Sequence, residues 1–215
     1  MSQAPARTSL FPKKPKPSRK QSATAMERRR ELQEAAIQAI AQYGVSAVTV
    51  STICEMAGFS RGLIGHYFKG KDDLLAEAIQ AFSARLAEAN REAANAAGTD
   101  PVKRLHAVIH SSFSPPGFTR ERVLVWVALV GSAPWSPVLA RIYRDLWRKY
   151  RAGIARLLRR AAEDRGVALD AEVAALMFSQ AIEGFWVGWA ADPSAVNKAK
   201  AEAACHLMLD GLLKA

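Results

Sequence analysis

The side chains that open one short helical segment, Ser60, Arg61, Gly62, Leu63, His66 and Tyr67, are of the types that grip and read double-stranded DNA. An arginine in such a place reaches guanine O6 and N7 with both arms, or a phosphate, and a leucine can touch a thymine methyl. Gly62 lets the backbone approach closely. His66 and Tyr67 are placed for phosphate oxygens, although Tyr67 equally suits a half-buried position against an earlier helix. Lys71 opens the next helix, where its charge and the free N–H groups of the first turn together suit phosphate. Thr49, Ser51 and Thr52 begin the preceding helix with hydroxyls that can meet phosphate; for Thr49 the role of helix cap is explanation enough.

A second set of side chains suits a small organic cation. The C-terminal half holds Trp126, Trp135, Trp147, Trp186 and Trp189. Glu183 and Trp186 are three apart and share a helix face, and Tyr143, Trp147 and Tyr150 form a stripe on another helix. Aromatic faces beside a carboxylate attract a quaternary ammonium group, so Trp126, Tyr143, Trp147, Glu183 and Trp186 are the candidate ligand residues. Any one tryptophan serves equally as core filler or dimer contact, whereas a carboxylate on an apolar helix needs a reason. His106 and His110 have the spacing to share a metal, but no Cys or carboxylate accompanies them within their helix. No metal and no cofactor is expected. There is no glycine-rich phosphate loop, nucleophile elbow or HExxH pattern, so nothing points to an enzyme.

The elements that must position these residues are all helical. Val50, Ile53, Cys54 and Ala57 give an apolar face, Gly58 supplies the turn, Phe59 is a buried plug and Ser60 caps the next helix. This is the layout of a helix-turn-helix, whose second helix enters the major groove. A first helix over about 24–43 has the stripe Leu32, Ala36, Ile37, Ile40 and ends at Gly44. Arg28, Arg29 and Arg30 on its first turns oppose the helix dipole, a cost that a nearby polyanion offsets. Beyond Lys71 the pattern predicts a long helix to about 94. Asp100-Pro101, Thr119, Ser136-Pro137 and Asp170 then open further helices, and a last one closes the chain. No strand and no internal repeat is apparent. The expected fold is all-α, divided into a disordered basic tail (1–23), a three-helix DNA-binding unit (24–70) and a ligand-binding and dimerisation bundle (71–215).

Charge agrees with this division. Of the formal net charge of +10, residues 1–30 carry +8, next to the helix-turn-helix. The tail adds non-specific phosphate contacts or is a dispensable extension; its Lys-Pro-rich run also matches a nuclear address, a pattern too easily met to count. Cys54 and Cys205 are expected as buried free thiols. No apolar segment follows the basic N-terminus, and the run Val123–Ala133 is shorter than the roughly 20 residues that a spanning helix needs, so a soluble cytoplasmic protein is expected, with no membrane partner.

The string A-G-F-S-R-G-L-I-G-H-Y-F-K-G-K-D-D-L-L resembles the TetR family of bacterial transcriptional regulators. Trp126 followed by the Ser136-Pro137 start, and A-I-E-G-F-W at 181–186, resemble the BetI type, which responds to choline. The resemblance implies a homodimer on a palindromic operator, with the last two helices paired across the dimer through Leu176, Phe185 and Leu209, and a repressor released by a small cation such as choline. It also implies that Gly65, where many relatives carry a DNA-contacting tyrosine, departs from the family pattern. The alternatives are an activator or a ligand-independent DNA-binding protein of the same fold.

Overall fold

A computed structural model of the chain describes residues 19–214, with side chains described from Thr24; the basic run before Arg19 lies outside the described residues. Among the described residues every regular element is helical. In order they are α1 (Arg19–Ala47), α2 (Val50–Ala57), a 3-10 turn (Arg61–Leu63) running into α3 (Ile64–Tyr67), α4 (Lys71–Ala96), α5 (Pro101–Ser112), α6 (Arg120–Ser132), a second 3-10 turn (Ala133–Trp135), α7 (Pro137–Arg165), α8 (Ala171–Ala191) and α9 (Lys198–Leu212). α1 begins before the expected Thr24, and its regular part breaks where expected, at Gly44 (φ 75°, ψ 161°).

The boundaries follow from side-chain caps. Thr49, Asp100, Thr119, Ser136 and Asp170 each accept a hydrogen bond from a first-turn N–H, a contact that contributes about 1 kcal/mol. Asn197 does the same for α9. Ser60 stands at the start of the recognition segment but makes no side-chain cap bond, and that segment is a 3-10 turn plus one α-turn rather than a full helix. Gly58 ends α2 in the left-handed region at φ 70°, which reverses the chain. Phe59 is half-buried, not a full plug.

One continuous apolar core runs through the molecule. α1 packs not only on α2 but along α4 and α6, so its stripe of Leu32, Ala36 and Ile40 ties the DNA-binding helices to the bundle. α7 lies against α8, α5 and α4, and α9 closes on α8 and α5. α8 leaves Val173, Leu176, Met177 and Val187 exposed, and α9 leaves Leu207 at 71%. Leu209, expected at a dimer contact, instead faces inward and is fully buried. Phe185 is half-buried, with its ring 6.3 Å from that of Phe113. No helix among the described residues is long and apolar enough to cross a membrane.

Cys54 and Cys205 are both free and buried, and burial pushes the Cys205 thiol up to about 12. His106 and His110 do not share a ligand. His106 Nδ1 meets His206 Nδ1 at 2.7 Å and its Nε2 lies 3.3 Å from Asp210, while His110 Nδ1 meets Glu202 at 2.7 Å. Among the described residues no group of side chains could hold a metal ion.

Burial and the adjacent His106 hold the His206 pKa below its ordinary value, against the opposing pull of Glu202 and Asp210; His110 adds to the depression. The folded state thus prefers neutral His206, and stability present above about pH 6.5 is lost as pH falls through the lower folded value. Thermal melts between about pH 7.5 and 5.5 should show the midpoint falling, with a shallower fall in His206→Gln. An identical slope in the variant would remove His206 as the cause.

Candidate functional site

The candidates for DNA contact lie on α2, the 3-10 turn, α3 and the start of α4 or just before them. Arg61, Gly62, Gly65 and His66 are exposed and Leu63 is half-buried. Neither Gly62 nor Gly65 has positive φ, and a Cβ built on either meets nothing within 4 Å. The fold itself therefore has no need of glycine there. The Thr49 hydroxyl accepts from Thr52 N–H, as the cap of α2, and lies 2.8 Å from the Thr52 hydroxyl. Ser51 stands beside them, half-exposed. Lys71 donates to the carbonyl of Val48 at 3.2 Å, which holds its ammonium beside the start of α2.

Tyr67 is half-buried, and its carbonyl accepts from Arg29 Nη1 at 2.6 Å. The same guanidinium forms a two-armed ion pair with Glu77 on α4, 3.0 Å from Nε to Oε2, and its Cζ lies 4.5 Å over the Phe68 ring. Gln33 adds a donor to Glu77 at 3.2 Å. Arg29, expected from its place in a basic run to face a polyanion, is instead a clamp joining α1, the end of α3 and α4. The signal was not legible in sequence, because its partners lie 38 and 48 residues away.

Inside the bundle, the aromatic candidates converge. The Trp126 ring centroid is 5.8 Å from Tyr143, 5.7 Å from Trp147 and 6.2 Å from Trp186, edge-on to both tryptophans. Trp126, Trp147, Glu183 and Trp186 line a cavity of about 60 Å³, closed on one side by Leu86 and Asn90 of α4. Gly117 forms part of the wall, and a Cβ there would sit 2.4 Å from the Ser111 carbonyl oxygen. Trp135 is 87% exposed and plays no part. Tyr143 does not line the cavity; it stands behind Glu183 and donates to both carboxylate oxygens, at 3.1 and 3.0 Å. Gln180 donates at 2.6 Å, and Trp186 is fixed by its N–H to the Ser112 carbonyl at 2.9 Å.

Glu183 is the only ionisable carboxylate on the cavity wall and is 8% exposed. A buried carboxylate needs hydrogen-bond partners, and Tyr143 and Gln180 supply them, while Arg151 stands with its Cζ 5.4 Å over the Trp147 ring. Burial first, then the neighbouring carboxylate, push the Tyr143 hydroxyl up to about 12, so it remains a donor. The Trp126 and Trp147 indole N–H groups and the Tyr150 hydroxyl are buried without a hydrogen bond; Trp147 lies near Tyr143, and Tyr150 near Ser112, outside bonding geometry. Tyr150 was legible as part of the α7 stripe. Asn90 and Ser112 carry no sequence signal, since each is one of several polar residues on its helix.

Residues 32–78 match the family described as "Bacterial regulatory proteins, tetR family", and residues 101–214 match "BetI-type transcriptional repressor, C-terminal". The regulator BetI 2 of Chromohalobacter salexigens is 31% identical over 86% of this chain and 88% of its own. BetI of Agrobacterium fabrum is 31% identical over 87% and 88%. A solved structure from Pseudomonas aeruginosa superposes with a TM-score of 0.79 at 31% identity, covering 87% of this chain and 91% of that one. Another, from Saccharomonospora viridis and in complex with choline, has a TM-score of 0.77 at 23% identity, over 86% and 96%.

Replacing the clamp in Arg29→Ala should lower the free energy of unfolding by about 1–2 kcal/mol, the value of charged hydrogen bonds reduced for partial exposure. Arg29→Lys should recover only part, since an ammonium cannot hold a carboxylate in two arms and stack on Phe68 together. Urea unfolding of the three proteins checks this; a wild-type midpoint in Arg29→Ala would deny the clamp any weight.

Proposed function

The chain belongs to the tetR family of bacterial regulatory proteins, with a BetI-type C-terminal region, and is a transcriptional regulator; from this we propose that it is a homodimeric repressor released from a palindromic operator by a quaternary ammonium ligand such as choline. Residues 24–70 act as the reading unit and 71–215 as the effector and dimer unit. The observation that carries the ligand reading is Glu183, a buried carboxylate that lines the cavity among three tryptophans, with Arg151 over the Trp147 ring rather than on the cavity wall. A quaternary ammonium head supplies the missing charge and can meet the aromatic faces. The choline-bound Saccharomonospora viridis structure shares the fold and supports the same class of ligand.

DNA contact falls to Ser60, Arg61, Gly62, Leu63 and His66, with Lys71, Ser51 and Thr52 on flanking phosphates and Tyr67 and Thr49 holding the surface in place. The exposed apolar residues of α8 and α9 pack against those of a second copy, and the two reading surfaces then meet successive major grooves. The ligand head enters the aromatic cavity and presses on one of its walls. The movable wall is α4, which carries Lys71 at its start and Glu77 against the Arg29 clamp. Binding favours the displaced arrangement, changes the spacing of the two reading surfaces and releases DNA, as a ligand with differential affinity for two states must.

Calorimetry and a DNA-release assay with the fragment upstream of the gene test this reading. Choline should bind and lower the affinity for that fragment. Glu183→Gln should weaken choline binding at least about tenfold, roughly the 1.4 kcal/mol of one charge-assisted contact, with DNA affinity kept. No heat and no release with choline would sink the ligand reading.

For DNA contact, Arg61→Ala should relax sequence preference, whereas Lys71→Ala should weaken binding to every sequence and reduce the salt slope by about one. Wild-type affinity in both variants would move the reading surface elsewhere.

A further inference from the structure

The lining of the aromatic cavity divides by chemistry as well as by element. Trp126, Trp147, Glu183 and Trp186, the groups that suit an ammonium, stand on α6, α7 and α8. From α4 come Leu86, Ala87 and Asn90, so Asn90 is the one polar side chain that this helix gives the cavity. Its amide is half-buried and has no hydrogen-bond partner among the described residues. Tyr150 of α7 lines the cavity too, and its hydroxyl is buried without a hydrogen bond. Asn90 and Tyr150 also border an adjoining groove between α4, α5 and α7, which none of the four ammonium-suited residues lines, so the pair marks one side of the cavity. Ser112 joins that side to the other: its carbonyl accepts from Trp186, one turn from Glu183, and its side chain lies near the Tyr150 hydroxyl. The Ser112 hydroxyl is itself engaged with the Val108 carbonyl at 2.8 Å. The Trp126 and Trp147 N–H groups can only donate, whereas a phenol and an amide together offer both a donor and an acceptor, which is what a ligand hydroxyl needs.

We propose that Asn90 and Tyr150 are the specificity-determining residues of the effector site, taking the hydroxyl of a quaternary ammonium alcohol whose nitrogen sits beside Glu183. The proposal rests on the ammonium reading above and adds what the other end of the ligand must be. In a two-carbon alcohol of this kind the oxygen is three bonds of about 1.5 Å each from the nitrogen, so the whole molecule stays within this one cavity. Tyr150 donates to the hydroxyl oxygen, and the Asn90 carbonyl oxygen accepts its proton. No cation lines the cavity, so a neutral hydroxyl suits this side better than a carboxylate. An apolar arm of the same shape leaves both groups unpaired beside it, and that penalty sets the discrimination. Because Asn90 belongs to α4, the choice of ligand is made in part on the helix that also carries Lys71 and Glu77.

The test is calorimetry on the full chain with choline and with propyltrimethylammonium, which has a methyl group in place of the hydroxyl, repeated on Asn90→Ala and Tyr150→Phe. Tyr150→Phe removes an oxygen that makes no hydrogen bond in the free protein, and Asn90→Ala replaces an unbonded side chain by a good helix former, so both variants should fold as the wild type does. Choline should bind the wild type about tenfold more tightly than the isostere, the effect of hydrogen-bonding groups left unpaired. In each variant the choline affinity should fall toward that of the isostere, while the isostere binds no more weakly than before. Equal affinity of the two compounds for the wild type, with choline still dependent on Glu183, would overturn the hydroxyl contact and leave the ammonium reading intact. A full advantage kept in both variants would overturn it too, as would a parallel loss of both ligands, the mark of a merely structural role. Failure of both compounds to bind the wild type would overturn both readings.

Discussion

The Arg29 guanidinium is the joint on which the arrangement of the reading end depends. The recognition segment is only a 3-10 turn and a single α-turn, too short to hold itself. It is held by neighbours: Ile64 and Phe68 pack into the core, and Arg29 fastens the carbonyl of Tyr67 while its other arm grips Glu77 on α4. Arg29 thereby joins one end of α4 to the segment that faces outward. The other stretch of α4 carries Leu86 and Asn90 on the wall of the aromatic cavity. One helix of 26 residues thus touches both sites, and no chain of small rearrangements is needed to connect them.

The cavity is a problem in charge as much as in shape. Tyr143 and Gln180 hold the Glu183 carboxylate by neutral hydrogen bonds, which orient it without cancelling its charge. Trp186 is locked by its bond to Ser112, and Trp126 stands edge-on to its two indole neighbours. Such a wall is preorganised: rings and carboxylate keep their geometry through packing and backbone bonds rather than through a bound partner. The adjoining groove has the reverse character, with arginines on a largely apolar floor.

Much of this was legible in the sequence, and the parts that were not share a cause. Caps at Thr49, Asp100, Thr119, Ser136 and Asp170 marked helix starts because each acts on its own first turn, a local effect. That Glu183 and Trp186 share one face and Tyr143 and Trp147 another was readable from helical spacing; that α6, α7 and α8 bring these faces together was not. Spacing does not say how deep a face lies. Leu209, an apolar residue on α9, turned inward rather than outward, and Tyr143 stood behind the carboxylate instead of in the cavity. Arg29 was the largest surprise, since a basic run near a DNA-reading segment gives no hint that one member is turned toward an acid far along the chain.

The bare surface at Gly62 and Gly65 has a consequence of its own. Because neither position has positive φ or a neighbour within reach of a Cβ, the scaffold places no demand on what stands there. Side chains can be added at two adjoining points of the outward face without rebuilding the core beneath them. In evolutionary terms this frees the two positions to vary by single substitutions that are nearly neutral for folding. The same freedom makes the pair a natural place to graft a new specificity.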